Sequence, residues 1–320
     1  MAILWVALYH LPNHTVLPIL GYLNDVGFGG VDIFIFMSGF GLAASLSKNS
    51  DITEYFGRRM YRLLPSYLPF IIMWMIVRFV TYQIYATEIF GNLTMTGWWN
   101  KDANQFNWYI DAIVLFYILA PYIYGIISKA KRPVISIFVI TIISFAISLA
   151  FMHSELLMAM SRLPLFVLGI GVYVLKDIEW LKGRKSIVVF NVLMLLGFVA
   201  SYYLLKIQGI SDGMEFIDRW HYGLFWYPFY LIAPGLAMDL GFLGFAIKKI
   251  KIISIIDLII EKLGCASFEI FLWHIFIFET AQAKHVEGGL VWAGLFIMSM
   301  CLGCVYSLII NKLKVQFSKK

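Results

Sequence analysis

Three arginines directly follow an apolar segment in the first fifth of the chain. Arg58, Arg59 and Arg62 lie in the sequence YFGRRMYRLLPSY. If this segment is helical, Arg58 and Arg62 lie one turn apart, and Arg59 and Arg62 are related by i, i+3. The planar guanidinium group suits bidentate contact with phosphate. The spacing therefore predicts an anion-binding cluster, and the alternative is that the three charges only anchor the segment at a membrane surface.

Two ionisable residues, His10 and Asp32, lie within apolar segments, where charge is costly and a functional role is the first hypothesis. A neutral imidazole can accept the proton of a hydroxyl group as that group attacks an electrophilic carbon. A neighbouring carboxylate can orient the ring and stabilise its protonated form. His10 is therefore a candidate general base, with Asp32 as a candidate partner. The alternatives are an interhelical hydrogen bond for His10 and a buried arginine as the partner of Asp32.

The composition indicates that these residues belong to an all-α integral membrane protein. Hydrophobic residues make up 61% of the 320 positions, charged residues only 14%, and the mean hydropathy is +0.81. A soluble domain carries about 25% charged residues. No linker or repeat is evident, so we expect a single transmembrane domain over residues 1–320. The three cysteines lack the spacing of a metal site, and we expect no metal.

The apolar runs predict about ten transmembrane helices, because about 20 residues span a bilayer. We place them at residues 1–23, 28–46, 63–84, 107–127, 133–151, 156–175, 186–206, 221–247, 265–283 and 288–310.

The basic residues fall in alternate connections of this map. Five connections on one side hold most of the 25 Lys and Arg residues, whereas the opposite loops hold only Lys101, Arg219 and Lys284. The positive-inside rule then places both termini in the cytoplasm. The net charge of +6 is thus a topology signal, and we expect no nucleic-acid partner. Outside the arginine cluster, the cytoplasmic basic residues are lysines apart from Arg132 and Arg184, which favours a specific use of guanidinium groups in the cluster.

Several motifs, in order along the chain, resemble the acyltransferase 3 family of integral-membrane O-acyltransferases. The strings GGVDIFIFMSGF and RRMYRLLPSY resemble its signature, including an Arg-Arg-x-x-Arg-x-x-Pro pattern. FNWYIDAIVLFYILAPYI and RLPLFVLGIGVY resemble later segments. SFEIFLWHIF resembles a Ser-Tyr-x-x-Tyr-Leu-x-His motif, with phenylalanines in place of both tyrosines, so no role of their hydroxyls is carried over.

The resemblance implies roles for individual residues. It implies that the functional histidine of the first span is His10. It also implies that Arg59 and Arg62, together with Arg58, contact the pyrophosphate or 3′-phosphate of acyl-CoA from the cytoplasm. Other side chains at matching positions are candidates for substrate binding: Trp108, Tyr109, Arg162, Glu269 and His274.

The function implied by the family is transfer of an acyl group, most simply acetyl, from cytoplasmic acyl-CoA to a polysaccharide hydroxyl. The polysaccharide would be on the cell surface or exported, and the protein would lie in the inner membrane. Family members carry an arginine upstream of the functional histidine, which would here precede Met1, so we expect upstream residues to be missing. The alternative is a first helix that kinks at Pro12 and continues to Leu23.

Two other functions are compatible with the sequence. One is a transporter or flippase for a glycan or small anionic substrate, in which Asp32, Arg162 and Glu269 line the pathway. Transporters commonly show inverted repeats, and no similarity between the two halves of this chain is evident. The other is a catalytically inactive membrane scaffold.

Overall fold

A computed structural model describes residues 2–12, 21–81, 85–100, 106–151, 154, 156–209, 226–248 and 254–318. This part of the chain contains helices and no strand, as the composition predicts. In chain order the α-helices are α1 (Ala2–Tyr9), α2 (Gly21–Asp25), α3 (Gly29–Lys48), α4 (Ile52–Thr81), α5 (Ala86–Thr94), α6 (Trp108–Ser128), α7 (Pro133–Ala150), α8 (Leu157–Met160), α9 (Leu163–Val174), α10 (Glu179–Lys182), α11 (Arg184–Tyr202), α12 (Phe229–Lys248), α13 (Ser254–Cys265), α14 (Ser267–Ala283) and α15 (Gly289–Ser318).

Seven helical segments of the described chain are long and apolar enough to cross a membrane. They are Gly29–Lys48, Ile52–Val80, Trp108–Ser128, Pro133–Ala150, Leu157–Val174, Arg184–Ile207 and Gly289–Gln316. The end of α13 and the whole of α14 form an eighth apolar segment, which is bent by 73°. Each of the eight overlaps a span predicted from the sequence. A helix that is apolar all round needs lipid or protein on every side, so its apolar run is visible in the sequence.

The predicted count of ten spans is not confirmed. Of residues 1–23, the structure describes only α1, α2 and the short stretch after α1, and residues 13–20 lie outside the described part. The apolar part of α12, Phe229–Gly244, is too short to qualify by itself, and residues 221–225 lie outside the described part. These two spans and the cytoplasmic position of both termini therefore stay predictions.

Local sequence signals mark where several of these helices begin. Asn107 precedes α6, and its side-chain oxygen accepts a hydrogen bond from the backbone N–H of Tyr109 at 2.8 Å. Such a cap satisfies one of the N–H groups that a helix leaves without an internal partner. Pro133 begins α7, where a missing N–H costs nothing.

The chain divides into two compact units, each assembled from separate stretches of sequence. Unit 1 comprises Met1–Val31, Met60–Tyr82 and Leu240–Lys320, and unit 2 comprises Asp32–Arg59 and Gln83–Asp239. Helix α4 contributes to both units. The prediction of a single domain is not tested by this division.

In unit 2, α3 and α9 approach each other through two glycines. A Cβ atom added to Gly39 would lie 2.3 Å from the carbonyl oxygen of Phe166, and one added to Gly169 would lie 2.1 Å from that of Phe36. Real Cβ atoms do not approach so closely, so both positions require glycine. Small residues allow such backbone contact between membrane helices. The fit is extended by the ring of Phe116, which stacks on Phe166 at 4.9 Å between centroids.

In unit 1, α14 packs against α15 and α1. A cluster of buried apolar side chains joins these elements: Leu11, Ile277, Phe278, Ala281 and Trp292. The indole N–H of Trp292 donates to the backbone oxygen of Val286 at 3.0 Å, so this large buried ring leaves no polar atom unsatisfied. Because Leu11 belongs to the cluster, it fixes the chain directly after His10 against α14.

Candidate active site

His10 follows the last residue of α1 and lies beside a second imidazole. Its ring contacts the ring of His274 on α14, edge to face, with 5.2 Å between the centroids. His10 is half-buried, whereas His274 is fully buried. The two histidines therefore form a pair within unit 1, of which only His10 is accessible from outside.

The hydrogen bonds of the two rings determine which nitrogen is available for chemistry. Nδ1 of His10 lies 2.9 Å from the backbone oxygen of Val6, and Nδ1 of His274 lies 3.1 Å from that of Ile270. A carbonyl oxygen can only accept, so in the neutral rings we assign the proton to Nδ1 and the lone pair to Nε2. Each ring is thus oriented with Nε2 as a potential base.

No hydrogen-bond partner is found for Nε2 of His274 within the described residues. Phe271 and Phe278 flank this ring at 5.4 and 5.8 Å between centroids. Nor does the described chain contain a group of three or more His, Cys, Asp or Glu side chains that could hold a metal ion. A buried acceptor without a partner is costly, so this nitrogen is a candidate for a functional contact.

Close packing of α1 holds His10 in place. A Cβ atom added to Gly30 would lie 2.6 Å from both the carbonyl oxygen of Ala2 and a methyl group of Val6. The same Val6 supplies the carbonyl oxygen that orients the ring of His10. Gly30 lies in the GFGG segment of the sequence, so this segment serves close approach of the backbones.

The three arginines all lie on α4, as the pattern predicts, but their surroundings differ. Arg58 forms an ion pair with Glu54, one turn earlier on the same helix. The guanidinium group of Arg59 lies over the ring of Tyr55, 5.6 Å from its centroid. Arg62 is exposed, and no carboxylate lies within ion-pair distance of it in the described residues. Arg62 is therefore the best placed of the three to receive an external anion.

One turn beyond Arg62, Ser66 connects α4 to the predicted site residue Glu269. The buried hydroxyl of Ser66 donates to Oε1 of Glu269 at 2.6 Å. The carbonyl oxygen of Ser66 accepts from the hydroxyl of Tyr306 at 2.8 Å. Sequence reasoning missed Ser66, although a serine between Pro65 and Pro69 of an apolar helix is a polar signal. Glu269 is 7% exposed and thus lies in a buried polar network of unit 1.

In unit 2, Asp32 pairs with Arg162. One carboxylate oxygen lies 3.3 Å from Nε of Arg162, and both side chains are almost fully buried. Another guanidinium nitrogen donates to the backbone oxygen of Met158 at 3.0 Å. Of the two roles considered for Asp32, the contact supports that of partner to a buried arginine. The role of Asp32 as orienting partner of His10 stays a prediction.

Two tryptophans complete the surroundings of Arg162. Its guanidinium carbon lies 5.0 Å from the ring centroid of Trp108 and 3.9 Å from that of Trp226. Tyr109 lies beside Trp108 at 6.2 Å between the ring centroids. The sequence analysis missed Trp226, which belongs to none of the recognised motifs. Arg162 is thus held by a carboxylate and two aromatic faces, which together stabilise a buried cation.

The signature of a known family runs through both units. The model of an acyltransferase domain, that of the acyltransferase 3 family, matches residues 1–311. The chain belongs to the acyltransferase 3 family. The resemblance inferred from the motifs is thereby confirmed over almost the whole chain. No curated protein and no solved structure matches it. Family and apolar helices together identify a multi-pass membrane protein, consistent with a membrane acyltransferase.

Proposed function

We propose that this protein is an O-acetyltransferase of the cytoplasmic membrane. It takes an acetyl group from cytoplasmic acetyl-CoA and transfers it to a hydroxyl of a cell-surface or exported polysaccharide. The observation that carries the proposal is the half-buried His10, whose hydrogen bond to Val6 leaves Nε2 as the basic nitrogen. The family supports acyl transfer in general, and the donor, the acetyl group and the acceptor are our inference.

The reaction needs one base and no oxidant or reductant. The hydroxyl oxygen of the acceptor attacks the thioester carbonyl carbon as Nε2 of His10 removes the hydroxyl proton. The C–S bond then breaks, and the CoA sulfur leaves with the proton that His10 returns to it. The products are the acetyl ester and free CoA, and His10 is again neutral.

The donor site is best supported at Arg62. Ser66 follows Arg62 by one helical turn and bonds to Glu269, which precedes His274 by five residues. At 1.5 Å per residue, these two steps along α4 and α14 amount to roughly 14 Å. We propose that the phosphates of CoA bind at Arg62 and that the long pantetheine arm extends past Glu269 toward the two histidines. Arg59 and Arg58, on the same helix, would add positive charge.

The residues around Arg162 have a different place in this proposal. The ion pair with Asp32 and the contacts with Trp108 and Trp226 use the charge of Arg162 internally. We propose that these residues stabilise unit 2, and that Tyr109 supports Trp108. This assignment replaces substrate binding by Arg162 as the leading hypothesis for that residue.

The test is transfer of label in membranes of known orientation. Inside-out vesicles from cells with and without the gene receive radiolabelled acetyl-CoA, and the polysaccharide fraction is counted. Label should appear only with the gene, and right-side-out vesicles should incorporate none. If inside-out vesicles from cells with the gene and from cells without it incorporate the same amount of label, the proposed function is wrong.

The bend between α13 and α14 also bears on the transporter hypothesis, because broken helices are common in transporters. A transporter would move its glycan without consuming acetyl-CoA. Stoichiometric release of free CoA, dependent on the gene, therefore favours the transferase. Appearance of unmodified glycan on the outer surface without CoA release would favour the transporter.

A further inference from the structure

Within unit 1, the contact between the two histidines indicates a role for His274 that the sequence motif of α14 does not give it. In the neutral rings, the Nε2 atoms of His10 and His274 are both acceptors. His274 is 0% exposed, and its Nε2 has no hydrogen-bond partner within the described residues. Neither Nε2 can donate a hydrogen bond to the other ring until one of the two imidazoles gains a proton.

We propose that His274 is a positioning residue that acts through His10 by accepting a hydrogen bond from its protonated form. This inference rests on the proposed role of His10 as the base. When His10 takes the proton of the polysaccharide hydroxyl, its Nδ1–H continues to donate to the carbonyl oxygen of Val6. Its Nε2 then becomes a hydrogen-bond donor. This one N–H is then shared between the reacting oxygen or sulfur and the lone pair on Nε2 of His274, until the proton passes to the departing CoA sulfur. No atom of His274 changes its protonation in this cycle.

Burial explains why a neutral partner is suitable here. A carboxylate beside His10 would itself have to be desolvated, whereas a neutral imidazole enters a buried site at a lower cost. The aromatic side chains of Phe271 and Phe278 keep the His274 ring in position. The energy of the new hydrogen bond is gained only when His10 is charged, so it stabilises the transition state more than the bound substrates.

Ring packing is the structural alternative, and a matched pair of substitutions separates the two roles. His274→Phe keeps an aromatic ring against His10 but removes the lone pair. His274→Gln loses the ring but keeps an acceptor oxygen. If His274 only fills space, the Phe variant should be active and the Gln variant impaired. If it accepts a hydrogen bond from His10, the order is reversed.

The measured quantity is the rate of acetyl incorporation into glycan in membranes over a range of acetyl-CoA concentrations. We expect His274→Phe to lower kcat roughly 10- to 100-fold, as for loss of a hydrogen bond to a charged group. The KM for acetyl-CoA should stay near the parent value, because the bond forms only during the reaction. His274→Gln should retain a larger kcat than His274→Phe.

Parental kcat in His274→Phe overturns the inference, provided that His10→Ala is inactive in the same membranes. If His10→Ala is itself fully active, the proposed base is wrong and the role of His274 fails with it. Amounts of folded protein in the membranes are compared by size-exclusion profile after detergent extraction, so that a packing defect is recognised.

A second inference concerns Lys314, which lies beyond the residues that the family match covers. Its amino group lies 3.4 Å from the backbone oxygen of Arg62, and 5.5 Å from the ring centroid of Tyr61. The hydroxyl of Tyr61 in turn donates to the backbone oxygen of Lys314 at 3.2 Å. These contacts hold the last turns of α15 against α4 in unit 1 and place a half-buried ammonium group beside Arg62.

We infer that Lys314 and Arg62 form one phosphate-binding site for CoA, which rests on the proposed donor. A phosphate group at this position would be attracted by both side chains, because each carries a positive charge. An ammonium group has three donors, and the carbonyl oxygen of Arg62 uses one of them. Because a phosphate could also come from an anionic lipid, the test must separate these two sources.

Binding of CoA is measured by calorimetry on the purified protein in nanodiscs of neutral lipid. Lys314→Gln keeps a hydrogen-bond donor for the carbonyl oxygen of Arg62 but removes the charge. We expect it to weaken CoA binding about tenfold, whereas Lys314→Arg binds within a factor of about three of the parent. Lys312→Gln is the control, because Lys312 is exposed and lies about 200° away around the same helix.

Parental CoA affinity of Lys314→Gln in nanodiscs of neutral lipid overturns the second inference. If the substitution changes CoA affinity only in nanodiscs that contain anionic lipid, Lys314 is assigned to lipid headgroups instead. Dephospho-CoA, which lacks the 3′-phosphate, identifies the contact. A loss of affinity for CoA alone indicates the 3′-phosphate, and an equal loss for both ligands indicates the pyrophosphate. If the parent protein binds neither ligand, the proposed donor itself is wrong.

Discussion

Each of the two units contains a pair of ionisable side chains in contact with each other, and the two pairs differ in whether their charges are already compensated. In unit 2, Asp32 and Arg162 neutralise each other, and two tryptophan rings cover the cation. In unit 1, His10 and His274 are in ring contact, but both rings present an acceptor nitrogen. The first pair compensates its charges internally, although neither carboxylate oxygen of Asp32 has a hydrogen-bond partner within the described residues. The second pair gains a hydrogen bond when a proton arrives. We conclude that a buried ionisable group is a stronger candidate for chemistry when no opposite charge beside it already compensates its charged form.

The largest effect that tests this contrast is expected at His10. His10→Ala should lower the rate of acetyl transfer by about 10²- to 10⁴-fold, since this is the usual contribution of a general base. Expression, membrane insertion and thermal stability should stay near those of the parent. Transfer by the variant within a factor of about three of the parent rate would remove His10 from the mechanism.

Asp32 should show the opposite combination of effects. Asp32→Ala leaves Arg162 as an uncompensated buried charge, which costs about 3–5 kcal/mol of stability when a buried pair is broken. The double variant Asp32→Ala/Arg162→Met removes both charges and should recover much of the loss. Thermal unfolding of the detergent-solubilised protein measures the loss of stability in the single variant and the recovery in the double variant.

The control for this prediction is Asp32→Asn, which nearly preserves the shape of the side chain. If Asp32→Asn unfolds at the parental temperature yet loses acetyl transfer as completely as His10→Ala, the contrast between the pairs is broken. Asp32 would then act in catalysis, as one of the sequence hypotheses states.

A smaller effect is expected from Gly169→Ala, which tests whether the packing of unit 2 is as close as the structure shows. The added methyl group would overlap the backbone of Phe36, and overpacking typically costs about 1–3 kcal/mol. Gly41→Ala is the matched control, because no heavy atom lies within 4 Å of its added Cβ atom. Alanine favours helix over glycine, so Gly41→Ala should be neutral or slightly stabilising. Equal thermal midpoints for the two variants would contradict the close approach of α3 and α9.

The smallest expected effects are those of charge-preserving substitutions in the arginine cluster. Arg62→Lys and Arg59→Lys should each weaken acetyl-CoA binding roughly tenfold, because lysine lacks the planar two-donor group. Arg58→Lys should have a smaller effect, since Arg58 already pairs with Glu54. Calorimetric titration of the purified variants with acetyl-CoA measures these differences.

Arg132→Lys serves as the control outside the cluster and should bind like the parent. Should Arg62→Lys and Arg59→Lys also bind with parental affinity, the cluster serves only as a membrane anchor. In that case unit 1 would retain a base, in His10, without an established donor site.

The sequence identified most of the residues named above because their signals are local. A charge in an apolar run is conspicuous, so His10, Asp32, Arg162 and Glu269 were recognised as costly without knowledge of their neighbours. The spacing of the arginines within one helix was equally readable. The motifs indicated the acyltransferase 3 family, and the match over residues 1–311 confirms it. Eight of the ten predicted spans overlap helical segments that are long and apolar enough to cross a membrane, counting the bent segment of α13 and α14 as one. The reason is the same, since apolar length is a property of contiguous residues.

Only the tertiary structure decided which residues are partners. His10 meets His274, and Asp32 meets Arg162, across long separations in sequence that no helical periodicity encodes. Glu54 forms an ion pair with Arg58, so Arg58 and Arg62 have different surroundings although they belong to the same motif. Trp226 and Lys314 belong to no quoted motif, and Ser66 lies within RRMYRLLPSY without being singled out there. The roles of all three became visible only through their contacts. The physical reason is that a side chain's cost and chemical type are fixed by its own atoms, whereas its hydrogen-bond partner depends on helix packing.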